Sequence, residues 1–269
     1  MDFNVCEMIM LITDKFVFVH QPKTGGTFVQ DILNEFDAKE TRLRNFGLLR
    51  KAGLLPRRFA CRDVGEYHSN CHEIPLEDRN KPVLSIVRNP LDYYVSFYHY
   101  GWWATHPEDS YADFGKVLKR FPQFPDLSFE DFLVLANEYF PELEQVGADP
   151  HDPDRIGYYS AQFLLFFFKE PQVSLATLDE RISEGCQFSE EMFNVRFLRT
   201  DRLNADLPGV LEGFGYPRSW TAPLSLRAPV LPDQQREQRP TRDFQSYYTP
   251  ETRAMIFKRD RLLFKMFGF

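Results

Sequence analysis

Lys23, Gly25 and Gly26 stand together in the run Pro22-Lys23-Thr24-Gly25-Gly26-Thr27, a grouping suited to holding an anion. Adjacent glycines let the main chain approach a ligand closely, and a lysine brings a compact positive charge to the same place. A second group, Arg88 and Ser96, combines a planar fork of charged donors with a short neutral hydroxyl, a pairing suited to phosphate oxygens. Between them, the polar stretch CRDVGEYHSNCHEIPLEDRN (61–80) carries His68 and His72. Imidazole titrates near neutral pH and can take a proton from an attacking hydroxyl. His20 and His99 lie inside the two anion-binding segments.

The elements that must position these residues are legible around them. FVFVHQPKTGGTFVQDILNEF (16–36) reads as a buried strand, a tight loop and an amphipathic helix in direct succession. Phe16 to Val19 form a short apolar run rich in β-formers, as in a strand covered on both faces. Phe28, Ile32 and Phe36 recur every four residues and Val29 pairs with Leu33, which makes one apolar helix face. The unpaired amides at the helix start, aided by the dipole, favour an anion there. A second unit runs from the strand Pro82 to Val87 through Arg88-Asn89-Pro90 into a helix over about Leu91 to Tyr100, ending at Gly101. A third strand, Val195 to Leu198, ends in Arg199-Thr200-Asp201 before a helical stretch through Leu203, Leu207, Val210, Leu211 and Phe214. The loop should hold a phosphate.

An ordinary Walker A loop places Lys directly after its last Gly, followed by Ser or Thr. Here Lys23 precedes the glycines. That order resembles the 5′-phosphosulfate loop of sulfotransferases, which use 3′-phosphoadenosine 5′-phosphosulfate (PAPS), and especially the Pro-Lys-Thr-Gly-Gly-Thr form of carbohydrate-type and bacterial members. VRNPLDYYVSFYHYG (87–101) resembles the family segment that binds the 3′-phosphate, with Arg88 at the strand end and Ser96 on the helix. The later unit closing with Gly215 and Pro217, and a C-terminal helix with an Asp and a Phe-Gly ending, follow the same pattern.

The resemblance implies an α/β sulfotransferase fold, a P-loop-like central parallel sheet flanked by helices. It implies in-line transfer of the PAPS sulfuryl group to a hydroxyl, less readily an amine, of a small-molecule or carbohydrate acceptor, leaving PAP and needing no metal. Lys23 would neutralise charge growing on the bridging oxygen. The amides of Thr24, Gly25, Gly26, Thr27 and Phe28 would hold the 5′-phosphate, with the Thr24 and Thr27 hydroxyls as added donors, and Arg88 with Ser96 the 3′-phosphate. Several carbohydrate sulfotransferases place a catalytic His before the second phosphate segment, which makes His68 the expected base. His72 is the alternative, and Glu66 and Glu73 stay open because other members use Glu. Two rival readings stand beside this one: a nucleotide kinase with an atypical P-loop, and a non-catalytic nucleotide-binding module. The kinase lacks the Gly-Lys-Thr order and an evident Mg-holding Asp at a strand end.

The whole chain sets wider bounds. With 269 residues, 43% of them hydrophobic, it can bury a large core, and a single domain over 1–269 is expected, elaborated at about 102–155 and carrying a long loop at about 217–246. Its 27 Phe and 12 Tyr suit a core or acceptor pocket with flat apolar walls. A net charge of −7 argues against a general nucleic-acid binder. No apolar run is long enough to span a membrane and the first residues lack a signal-peptide pattern, so a soluble cytoplasmic protein is expected. Cys6, Cys61, Cys71 and Cys186 are few and uneven, hence reduced thiols. Cys61, His68, Cys71 and His72 are zinc-type ligands at a spacing that matches no standard knuckle, so no metal is expected.

Arg42, Arg44, Arg50, Lys51, Arg57 and Arg58 read as a solvated basic surface. Met8 to Ile12 reads as an edge strand or hairpin partner, and 102–126 as a non-periodic loop, an acceptor gate. Phe129 to Tyr139 reads as a helix capped by Ser128, Gly157 to Phe168 as a buried helix, and Thr249-Pro250-Glu251 as the start of a helix to Met266. Arg236, Arg239 and Arg242, in the long loop, are read equally as nucleotide contacts or as solvated surface.

Overall fold

The structure, a computed structural model, describes residues 10–46, 61–64, 68–149, 151–152, 154–185, 187–228 and 243–269, without the side chains of 42–46. Met8, Cys6, Arg50, Lys51, Arg57, Arg58, Glu66, Cys186, Arg236, Arg239 and Arg242 lie outside the described residues, as do the side chains of Arg42 and Arg44. The chain forms two compact units, Met1–Val87 with Asn194–Val230, and Arg88–Phe193 with Leu231–Phe269. The strands are β1 (Met10–Thr13), β2 (Val17–Phe18), β3 (Cys61–Val64), β4 (Val83–Val87) and β5 (Val195–Arg199). The principal helices are α1 (Gly26–Phe46), α2 (Pro90–Tyr100), α3 (Phe129–Tyr139), α4 (Tyr158–Phe167), α5 (Leu203–Gly213), α6 (Pro250–Arg259) and α7 (Arg261–Phe267). Among the described residues no helix is long and apolar enough to cross a membrane.

The first unit holds a five-stranded sheet in the order β3-β1-β2-β4-β5. β2, β4 and β5 are parallel, whereas β1 is antiparallel to both β2 and β3. The expected parallel sheet is therefore the β2-β4-β5 part of a mixed one. The reason lies in the β1–β2 turn, where the Thr13 hydroxyl accepts from the Phe16 amide at 2.9 Å and donates to the Phe16 carbonyl at 2.8 Å. So short a connection can only reverse the chain, since a parallel crossover needs a dozen or more residues. Of the two readings of the first apolar run, hairpin partner holds and edge strand does not, because β3 pairs beyond it. β3, CRDV, lies in the polar, non-periodic stretch 61–80, where the sequence suggests a connection and no strand. It is half exposed and lacks an apolar run.

α1 and α5 cover one face of the sheet. Phe28, Val29, Ile32, Leu33 and Phe36 from α1 meet Leu203, Leu207, Val210 and Leu211 from α5 over Phe18, Leu84, Ile86 and Leu198. Burial of such side chains stabilises by about 1.5–3 kcal/mol each, which fixes α1 and hence the loop ahead of it.

The second unit is helical. α2 begins at Pro90 behind the Asn89 cap and ends at Gly101, whose φ of 70° is the left-handed region that favours glycine. Residues 102–126 hold three short helices, Trp102–Thr105, Pro107–Ser110 and Phe114–Arg120, where a loop was expected. Segments of one or two turns are too short to show a helical period in sequence. Ser128 caps α3 by accepting from the Asp131 amide at 3.1 Å. The single C-terminal helix expected from the sequence is two, α6 and α7, divided at Asp260.

A polar chain runs through this aromatic interior. Tyr93 donates to Gln162 Oε1 at 3.1 Å, Gln162 donates to the Tyr158 hydroxyl at 3.1 Å, and Tyr158 bonds the Glu142 carboxyl, whose Oε2 is buried without a partner among the described residues. Burial pushes the Glu142 carboxyl from 4.5 up to about 7. A folded-state value raised above the unfolded one means that the folded form binds the proton more tightly, so this contribution is complete below about pH 4.5 and is lost as pH rises toward 7. Glu142→Gln is expected to flatten urea-denaturation stability across that window relative to the parent protein. Equal slopes in both proteins would rule out Glu142 as their source.

Candidate functional site

In the first unit, strand β2 delivers its following residues to the loop under tight control. The Val19 amide donates to the Leu84 carbonyl at 3.0 Å, and the Ser85 hydroxyl donates to the Val19 carbonyl at 2.7 Å. Lys23 has φ 62° and Gly25 φ 100°, so the chain turns through the left-handed region twice before α1 begins at Gly26. Such a conformation is uncommon for lysine and persists only where neighbours fix it. Two of the residues assigned to phosphate are already committed within the loop. The Thr24 hydroxyl donates to the Gln21 carbonyl at 2.8 Å, and the Phe28 amide donates to the Gly25 carbonyl at 3.2 Å. Thr24 therefore shapes the turn with its hydroxyl, and Phe28 closes the first turn of α1. The Phe28 ring is buried beneath the Arg227 guanidinium, 5.8 Å from its centroid, and Glu35 holds that guanidinium with both oxygens at 2.9 and 2.7 Å.

Sequence reasoning missed two residues of this loop. The Thr200 hydroxyl lies 2.6 Å from the Thr24 carbonyl and 3.0 Å from the Val87 carbonyl, fastening the loop to the end of β4. Its position just past β5 was the available signal, but a hydroxyl there carries no periodicity. The other is His20, whose ring occupies the space a Cβ on Gly26 would need. Gly26 is thus a glycine on account of a side chain, where the sequence suggested close approach of a ligand.

His20, Lys23 and His68 come together. The two imidazoles meet edge to face, centroids 5.8 Å apart at 82°, and a ring N–H of His68 donates to the His20 carbonyl. Burial, first, and then the charge on Lys23 lower His68 from 6.5 to about 4, against the raising effect of its hydrogen bond. His20 falls to about 3 through burial, His68 and Lys23 in that order. Both rings are neutral at pH 7. His72 is exposed, and Glu73 accepts from the Asn70 amide at 3.1 Å in a capping box. Cys71 is buried, and burial pushes its thiol up. Among the described residues no group of three or more His, Cys, Asp or Glu side chains is arranged to hold a metal ion.

In the second unit, Arg88 directly follows the last residue of β4. Its Nε and Nη2 donate to the two Asp92 oxygens at 2.7 and 2.9 Å, and its amide donates to the Tyr159 hydroxyl at 3.0 Å. Arg88 is buried, and Asp92 fixes the plane of its fork. Asp92 and Ser96 are four residues apart on α2 and share a face, which places the buried Ser96 on the side that Arg88 occupies. His99 bonds the Tyr247 hydroxyl at 2.8 Å. That engagement gives it a role in packing the second unit.

No protein-family model matches the chain, and no curated protein does. Among solved structures it is similar to the mouse sulfotransferase SULT7A1 complexed with PAP, with a TM-score of 0.43 and 16% identity over 95% of this chain and 84% of that one. A likeness that loose says nothing about chemistry.

Proposed function

We propose that the chain is a PAPS-dependent sulfotransferase acting on a hydroxyl of a small-molecule or glycan acceptor. The observation that carries the reading is the loop, with Lys23 in a left-handed turn immediately ahead of α1 and no acidic residue in the first turn of that helix. Amides at a helix start, a lysine and the absence of opposing charge together fit an anionic group. PAPS, when bound, supplies an activated sulfuryl group, and its transfer leaves PAP. Lys23 stabilises negative charge on the bridging oxygen as it grows. The amides of Thr24, Gly25, Gly26 and Thr27, with the Thr27 hydroxyl, hold the 5′-phosphate, and Arg88 and Ser96 hold the 3′-phosphate. His68, whose ring N–H is engaged by the His20 carbonyl, is neutral and takes the proton of the acceptor hydroxyl. An anion at the loop opposes the effect of Lys23 on His68 and raises its basicity toward the range a base needs.

Calorimetric titration with PAP, AMP, ATP with Mg and GTP with Mg, followed by labelled PAPS offered to sugars, phenols, steroids and lipids, tests this. PAP is expected to bind best and the label to move to one acceptor class. A preference for ATP with Mg would favour a kinase, and PAP binding without transfer a binding module, and either overturns the reading.

Arg88→Ala is expected to cut PAP affinity by about 2 kcal/mol, roughly 30-fold, with AMP little affected. Asp92 loses its partner in that variant, so Arg88→Ala with Asp92→Asn is the control for the exposed carboxylate. If either protein still prefers PAP strongly over AMP, Arg88 does not read the 3′-phosphate.

A further inference from the structure

His68 has φ 59°, a left-handed conformation in which a non-glycine residue persists only where its surroundings over-determine it. Among the described residues, the neighbour that holds it is His20. The His20 carbonyl takes a ring N–H of His68, and the His20 ring meets the His68 ring edge to face at 5.8 Å. On its other side the same ring fills the space beside Gly26, at the start of α1, so tightly that no Cβ fits there. It stacks on Phe18 of β2 at 6.2 Å, is 3% exposed, and keeps a buried Nδ1 with no partner among the described residues.

A histidine serving only as core filling would be replaceable by an apolar residue, and its unpartnered nitrogen would be a cost without return. We infer that His20 is a positioning residue, its ring a wedge between Gly26 and His68 that sets where the His68 imidazole stands relative to Lys23 and keeps water from it. The inference rests on the proposed reaction for its catalytic consequence, and on the free protein alone for its structural one. Among the described residues, Lys23 is the charged group that bears on the His20–His68 pair, and removing the wedge admits water to His68, which then titrates nearer to its ordinary 6.5.

Two measurements on the full chain decide it. In the unliganded protein, nitrogen-15 spectra of the histidine rings, with His68 assigned through His68→Gln, are expected to show the same neutral tautomer in the parent and in His20→Ala, which keeps the carbonyl, and an upward-shifted His68 titration in His20→Ala. In sulfation assays, His20→Ala is expected to lower kcat about tenfold or more with PAP affinity within about threefold, and to shift the acid limb of the pH profile. Gly26→Ala, which drives the ring out, should reproduce the loss alone and add nothing in the His20→Ala background. An unchanged His68 titration, or additive costs of the two substitutions, overturns the inference. A parent protein without transfer activity overturns the proposed reaction instead, and the ring spectra then still decide the positioning role.

Discussion

With the proposed reaction, Lys23→Ala is expected to lower the rate of sulfuryl transfer by about two to three orders of magnitude while PAP affinity falls by less than about tenfold. The asymmetry follows from when the charge is needed. In the bound donor the bridging oxygen carries little charge, and in the transition state it carries much more, so an ammonium beside it favours the second over the first. Lysine and alanine pay a similar backbone penalty at φ 62°, so the substitution isolates the side chain. Lys23→Arg is a poor rescue, since a planar fork cannot occupy the place of a point charge in a turn this tight. The same substitution removes a charge that lowers both His20 and His68, so their titrations should move up together. A kcat equal to that of the parent, with the loss confined to donor affinity, would make Lys23 a binding residue only.

Asp260→Ala is expected to cost about 3–5 kcal/mol of stability, measured as a lowered urea midpoint at unchanged slope. The carboxylate accepts from the Ser160 amide at 2.8 Å, the Ser160 hydroxyl at 2.9 Å and the Tyr94 hydroxyl at 2.9 Å. It is fully buried at the junction of α6 and α7, and it ties both to α4 and α2. Truncation strands the buried Ser160 amide and hydroxyl and leaves the Tyr94 hydroxyl only Asn137 Oδ1, at 3.2 Å. Gly157 marks how closely the junction is packed, since a Cβ there would sit 2.8 Å from Asp260 Oδ2 and 2.9 Å from Asn137 Oδ1. Burial raises this carboxyl to about 6 against those three hydrogen bonds, so Asp260→Asn, which carries no charge to bury, should recover part of the loss. A cost below about 1 kcal/mol would show that the junction holds without it.

The strands and helices read most surely from the sequence were those whose signal is local. β4, α2 and α3 carry an apolar run, a Pro at the helix start, a Gly at the end or a Ser cap, and each such feature acts within a few residues. β3 was missed because CRDV sits half exposed and owes its place to pairing with β1, a partner far away in sequence. In the site, residue types suggested the proposed anion loop, since Lys23 and Gly25 would act through charge and backbone freedom, and the structure shows both in left-handed backbone. They did not give the His20 ring beside Gly26, the Asp92 partner of Arg88 or the Thr200 hydroxyl on two carbonyls, because each is a tertiary contact between groups that are ordinary in isolation.

Thr200 bears on the order in which the protein is made. It joins the Thr24 carbonyl across 176 residues and the Val87 carbonyl across 113. During synthesis from the N-terminus, β1, β2, α1 and β4 are all present long before β5 and Thr200 emerge, because the whole of Arg88–Phe193 is translated in between. Throughout that interval β4 has an unpaired edge, and the loop around Thr24 lacks its fastening. A nascent chain cut short before Val195 can pair β2 with β4 but cannot close the loop, so anion binding should appear only in chains extended beyond Thr200. Nucleotide added to a stalled or truncated chain would find no finished loop, and a chaperone that shields an open strand edge would find one.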